Sequence, residues 1–246
     1  MKIRFLRVFA LAFSLLMLLA SCSKVPALEL KEGDVYVNKK TKISYTNTST
    51  CYRANAYSTE PAARIKLKNM EEKLLYSIDG MDGNKWLCDS EYMVYCAEGE
   101  KAPELWEMNI SKVYINKTVN ASYTVASILE PDDIQALINV YKNGRSFAYE
   151  DLDDGLAFKR YDLVFADEHL SYYLIYLQYE EDVLFYDVID DPDNFTVQYP
   201  GVEVTTEEYK GEYYAVYNFG KHLMYNRETG LCYSVSDTLN AYFAEE

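Results

Sequence analysis

Tyrosine is the residue type that most clearly offers binding chemistry in this chain, with 25 tyrosines against 10 phenylalanines and 2 tryptophans. A tyrosine ring exposed on a sheet can stack on a sugar or contact a protein partner while its hydroxyl stays hydrated. Tyrosines also pack at the edges of β cores, and the sequence favours that structural role. Seven residues on predicted neighbouring strands form a possible binding surface: Tyr172, Tyr173, Tyr176, Tyr179, Tyr213, Tyr214 and Tyr217.

Established catalytic and metal-binding motifs are missing from the sequence. His169 and His222 are the only histidines, and there is no HExxH, GxSxG, CxxC or glycine-rich phosphate loop. We therefore predict no catalytic residue, no metal ion and no cofactor. Two alternatives stay open: a hydrolytic site assembled from distant residues, and a Ca²⁺ site in the aspartate-rich segment 187–194, which otherwise is a solvated turn.

The N-terminus combines a basic segment with a short apolar run. Lys2, Arg4 and Arg7 precede an apolar stretch over residues 8–20 that only Ser14 interrupts. This stretch is too short to cross ~30 Å of hydrocarbon as a relaxed helix, but it has the length of a signal-peptide core.

The apolar run ends in Leu19-Ala20-Ser21-Cys22, which resembles the lipobox of bacterial lipoproteins. The resemblance implies that residues 1–21 are a signal peptide, that signal peptidase II cleaves before Cys22, and that the Cys22 thiol carries a diacylglycerol. Acyl chains of this kind anchor a protein to a lipid bilayer. Ser23 is not the aspartate that retains lipoproteins on the inner membrane of Gram-negative cells. We expect an extracytoplasmic protein on the cell membrane, or on an outer membrane.

The charge of the chain is strongly acidic. The formal net charge is −15, and removal of the three basic residues of the leader leaves 21 bases against 39 acids, or −18. Such a chain repels phosphate backbones, so we predict no nucleic-acid partner.

Four cysteines remain after Cys22: Cys51, Cys88, Cys96 and Cys232. An even number outside the cytoplasm permits two disulfides, and Cys88 and Cys96 are close enough in sequence to face each other across a turn. Cysteine is also an ordinary core residue, so the pairing stays open.

Alternating apolar and polar residues predict β-strands through most of the chain, including hairpins over residues 35–45 and 223–235. The run Tyr172 to Tyr179 is apolar on both faces, which predicts a central strand. One helix is predicted over residues 131–143, because Pro131 suits a first turn, apolar residues recur at helical spacing, and Gly144 suits the end. For residues 62–75 the pattern favours a strand and then a turn over a helix.

These elements predict a β-rich α+β fold with antiparallel sheets in meanders. We expect a tether at residues 22–33, an N-terminal β-rich lobe with the helix at residues 34–145, and a C-terminal antiparallel β lobe at residues 146–246.

The most direct functional hypothesis is a binding module at the cell envelope, with a glycan, peptide or protein ligand. The alternatives are a structural or sensory envelope component that partners a membrane protein, and an envelope hydrolase. A deep cleft with convergent histidine or carboxylate groups would favour the enzyme. An exposed aromatic patch would favour binding.

Overall fold

The computed structural model describes residues 25–66, 71–118, 120–152, 156–199, 202–235 and 242. Cys22 and the leader lie outside these residues. The described chain is β-rich, with one α-helix, α1 (Pro131–Asn143). Its strands are β1 (Ala27–Leu30), β2 (Val35–Asn38), β3 (Ser44–Asn47), β4 (Tyr52–Ala54), β5 (Tyr57–Lys66), β6 (Glu72–Ile78), β7 (Trp86–Asp89), β8 (Val94–Ala97), β9 (Lys112–Thr118), β10 (Ser122–Ile128), β11 (Ser146–Ala148), β12 (Phe158–Ala166), β13 (Leu170–Tyr179), β14 (Leu184–Ile189), β15 (Glu203–Tyr209), β16 (Glu212–Asn218), β17 (His222–Asn226) and β18 (Leu231–Ser234).

The first sheet is a closed barrel with the strand order β1-β2-β3-β8-β7-β6-β5. Parallel pairing of β1 with β5, with Leu28 opposite Ile65, closes it. The prediction of meanders alone is therefore wrong for this part of the chain. The tether expected at residues 22–33 contains β1, because burial of Leu28 in the barrel holds this segment in the sheet.

The second sheet has the order β10-β9-β12-β13-β17-β18-β11, and β4 pairs with β13 beside β17. Its hydrogen bonds cross the lobe boundary expected between residues 145 and 146, since β9 pairs with β12 and β4 pairs with β13. The sheet therefore joins parts of both expected lobes. β13 lies in its interior and is buried along most of its length, as its two-sided apolar sequence predicts.

The helix spans Pro131–Asn143, which confirms the predicted bounds. Pro131 occupies the first turn, and Ile134, Leu137 and Ile138 are buried against the sheet. The backbone N–H of Gly144 donates to the carbonyl oxygen of Val140 at 2.7 Å. A Cβ atom on residue 144 would collide with that oxygen, so the helix end requires glycine.

A third sheet of three antiparallel strands, β14-β16-β15, packs on part of the second sheet. Two cores result. One face of β13 contributes Tyr172, Leu174 and Tyr176 to a core shared with the barrel and the helix. The other face contributes Ile175 and Leu177 to a core under the three-stranded sheet.

The predicted hairpins 35–45 and 223–235 are confirmed, and residues 57–66 and 72–78 form strands β5 and β6.

Candidate functional site

The outer face of β13 is covered along only part of its length. Ile175, Leu177 and Tyr179 lie beneath the three-stranded sheet and are at most 6% exposed. Tyr173, two residues before Ile175 on the same face, is 36% exposed. The uncovered part of the large sheet therefore forms an open surface beside a rigid core.

The pairing register shows which side chains share this surface. Val164 of β12 lies opposite both Tyr173 of β13 and Tyr114 of β9, so the two rings flank a buried valine. The Lys112 ammonium lies 4.8 Å from the centre of the Tyr114 ring, and the Arg53 guanidinium lies 5.8 Å from that of Tyr173. Each ring is thus in contact with a cation.

Arg53 is held in place by the backbone. Its Nη1 donates hydrogen bonds to the carbonyl oxygens of Thr50 at 2.8 Å and Tyr52 at 2.7 Å. Among the described residues, nothing accepts from its Nε or Nη2 and no carboxylate lies within 4 Å. Three N–H donors of a pre-positioned guanidinium are therefore available to a ligand.

Two cavities of about 720 Å³ and about 450 Å³ adjoin at this place and share Arg53 and Tyr173. Arg160 and Arg227 line the smaller one. Only five arginines follow Cys22 in the sequence. Three of these five line the smaller cavity. We call this surface the shelf and define it by Arg53, Lys112, Tyr114, Arg160, Asp162, Tyr173 and Arg227.

Three carboxylates line the shelf cavities, Glu91, Asp162 and Asp167, and the last two already interact with groups of the protein. Asp167 accepts from the backbone N–H groups of Asn109 and His169. Asp162 accepts from the Thr118 hydroxyl at 3.2 Å and lies 3.8 Å from the Arg160 guanidinium. Such an arrangement suits an anion, because guanidinium groups bind carboxylate, sulfate and phosphate with paired hydrogen bonds.

The seven tyrosines predicted as a surface separate in the structure. Tyr172, Tyr176, Tyr179 and Tyr217 are buried, which agrees with their structural interpretation. Tyr173 alone of the seven lines the shelf cavities.

The other two lie on β16 of the small sheet. Tyr213 is 38% exposed, and Tyr214 is half-buried with its hydroxyl donating to Glu212 at 2.6 Å.

Tyr172 belongs to a buried hydrogen-bond network beside the helix. Its hydroxyl lies 2.7 Å from that of Tyr141, and the Asn226 amide donates to both. The thiol of Cys51 donates to the other end of the same amide at 3.6 Å. Burial raises the pKa of Tyr172 and of Cys51. The network is satisfied internally and fixes the β17–β18 turn to the helix.

The remaining candidates from the sequence do not converge on a site. The His222 ring lies 2.5 Å from the hydroxyl of buried Tyr176, and His169 lies in a turn outside the shelf lining. All four described cysteines are buried free thiols, so Cys88 and Cys96 are not bridged. Over the part of the chain that the structure describes, no three potential metal ligands come together.

No described helix has the length and apolar character needed to cross a bilayer. Comparison of the chain with protein families, with curated proteins and with solved structures gave no match.

Sequence reasoning missed the cations of the shelf. Arg53, Arg160 and Arg227 lie far apart along the chain, and only Arg160 has a basic neighbour, Lys159. The scarcity of arginine was the available signal, but only the pairing of β4, β12 and β17 around β13 brings the three together.

Proposed function

We propose that the chain is a lipid-anchored, extracytoplasmic binding protein of the bacterial cell envelope, and that the shelf binds an anionic ligand. The observation that carries this proposal is that three of the five arginines after Cys22 line one cavity, although the net charge of the chain is −15. Arginine side chains gathered against the overall charge favour an anion, and they raise its local concentration.

An acidic glycan is the ligand class that the shelf suits best. Its carboxylate or sulfate groups would meet Arg53 and Arg160, while sugar rings would pack on Tyr114 and Tyr173. The open, adjoining cavities accommodate an extended chain rather than an enclosed small molecule. The Cys22 anchor would hold this surface at the membrane.

Calorimetric titration of the full mature protein in detergent with oligogalacturonate tests the proposal. We expect binding that weakens at least ten-fold in the double variant Arg53→Ala/Arg160→Ala, because both guanidinium groups act on the ligand. The matched control is Arg64→Ala/Arg145→Ala, which removes two arginines that do not line the shelf cavities.

The methyl-esterified oligomer measures the contribution of charge, and oligoglutamate distinguishes a glycan from an acidic peptide. Equal binding of the esterified and acidic oligomers, or equal binding by the two double variants, would contradict the proposal. Preference for oligoglutamate would replace the glycan with a peptide.

A further inference from the structure

The edge strand β14 exposes apolar side chains on the outer face of the three-stranded sheet. Leu184, Tyr186 and Val188 alternate along this strand and are 36%, 52% and 62% exposed. The intervening residue Phe185 points to the opposite side, where it contacts the buried rings of the second core. The sheet therefore buries one face and presents a second apolar face to solvent.

The register arranges this outer face into columns. Tyr186 lies opposite Val216 of β16, which in turn lies opposite Thr205 of β15. In the same way Val188 is aligned with Tyr214 and then Glu207. The face consequently changes from apolar on β14 to acidic on β15, where Glu203 and Glu207 are both exposed.

Negative charge is concentrated in the segment that forms this sheet. Residues 180–218 contain eleven acidic residues and one basic residue, Lys210, in a chain whose net charge is −15. An exposed apolar column beside a row of carboxylates is complementary to a segment that carries apolar side chains along one edge and cations along the other.

We propose that this face is a docking surface for an extended, cationic and apolar-faced segment of a partner protein. We call it the docking face and define it by Leu184, Tyr186, Val188, Glu203 and Glu207; Val216, between the two columns, is buried. Apolar side chains of the partner pack on the β14 column, and its lysines or arginines meet the β15 carboxylates. A second copy does not fit through the same face, because two acidic columns would repel each other. The protein then has two binding surfaces, and this one does not depend on the ligand of the shelf.

Fluorescence anisotropy with a labelled nine-residue peptide of alternating lysine and valine tests the docking face on the full mature protein. Two control peptides replace either every lysine with glutamate or every valine with serine. We expect the lysine–valine peptide to bind at least ten-fold more tightly than either control, because the face requires both cations and apolar side chains.

The variant Tyr186→Ser/Val188→Thr removes the apolar column, and we expect it to weaken peptide binding at least ten-fold. Its matched control is Tyr123→Ser/Val125→Thr on β10, where the two side chains are 51% and 45% exposed with the same spacing. Glu203→Gln/Glu207→Gln tests the acidic column, with an expected weakening of three-fold or more. Thermal unfolding of every variant verifies that the fold is retained.

The proposal is overturned if the lysine–valine peptide binds no better than its controls, or if the β10 variant weakens binding as much as the β14 variant. Sedimentation velocity without peptide separates one further outcome. Self-association that is lost in Tyr186→Ser/Val188→Thr would assign the face to a second copy and overturn the assignment to a partner protein.

Discussion

The shelf and the docking face are both open areas of β-sheet with exposed tyrosine, but they differ in charge and in support. The shelf carries Arg53, Arg160 and Arg227, whereas the docking face carries Glu203 and Glu207. The shelf lies on a sheet whose far side packs on the barrel and helix, and backbone carbonyls position Arg53. The docking face lies on a three-stranded sheet whose inner side is buried, while on its outer side the β14 and β15 side chains are exposed and the central Val216 is buried.

The net charge of the chain therefore does not predict the local charge of either surface. A chain of net charge −15 would be expected to repel anions everywhere, yet its folding gathers scarce arginines on one side. Residues 180–218 then account for most of the excess negative charge, because eleven acids lie among them. One molecule therefore presents two surfaces of opposite charge.

The largest expected effect tests whether the small sheet has one structural and one free face. Tyr217 is fully buried, its ring lies 5.1 Å from that of Tyr199, and its hydroxyl accepts the Gln198 N–H at 2.8 Å. We expect Tyr217→Ala to lower the free energy of unfolding by about 3–5 kcal/mol. Tyr186→Ser, on the outer face, should change it by about 0.5 kcal/mol or less.

Urea unfolding measures both changes. Tyr217→Phe is the control that keeps the ring and loses the hydroxyl, with an expected cost of about 1 kcal/mol. Similar losses for Tyr217→Ala and Tyr186→Ser would show that both faces of the sheet are structural, and the comparison with the shelf would fail.

A smaller effect is expected from reversing one charge on each surface. Arg160→Glu should weaken oligogalacturonate binding about ten-fold and leave the lysine–valine peptide unaffected, whereas Glu207→Lys should do the opposite. Both affinities should decrease as salt increases from low to high ionic strength, since these charges are exposed. Titrations of each variant with each ligand measure this, and a variant that weakens both ligands alike would indicate a global change instead of two separate surfaces.

The smallest effect compares the two cores beneath these surfaces. Burial raises the pKa of Cys88, in the core next to the barrel, and of Cys232, in the core under the small sheet, to about 12. The unfolded thiol, with a pKa of 9.0, ionises first as the pH rises. The stabilisation is therefore complete below about pH 9 and is lost between about pH 9 and pH 12.

We expect Cys88→Ala and Cys232→Ala each to reduce the loss of stability between pH 8 and 10 by about 1 kcal/mol. Denaturant unfolding under reducing conditions at each pH measures this slope. A slope equal to that of the wild-type protein in only one variant would show that the corresponding core admits water.

Local sequence was sufficient for the elements whose physical causes are local. Pro131 and Gly144 limit the helix, and its apolar spacing predicts the buried side. The run of β13 is apolar on both faces. It predicts a central strand, because each face must pack against another layer of the protein. The lipidation of Cys22, which lies outside the described residues, stays a prediction from the lipobox alone.

Pairing between distant strands decided the rest. The barrel closes through Leu28 of β1 and Ile65 of β5, and no local pattern specifies a parallel partner across that separation. Likewise, Tyr173 and Tyr176 are both tyrosines of one strand, and only the position of the covering sheets leaves the first open and buries the second. The sequence by itself determined the strands, the helix and the total charge. The tertiary structure decided which tyrosines meet solvent and where the arginines converge, because side-chain exposure and charge proximity depend on what packs across the sheet.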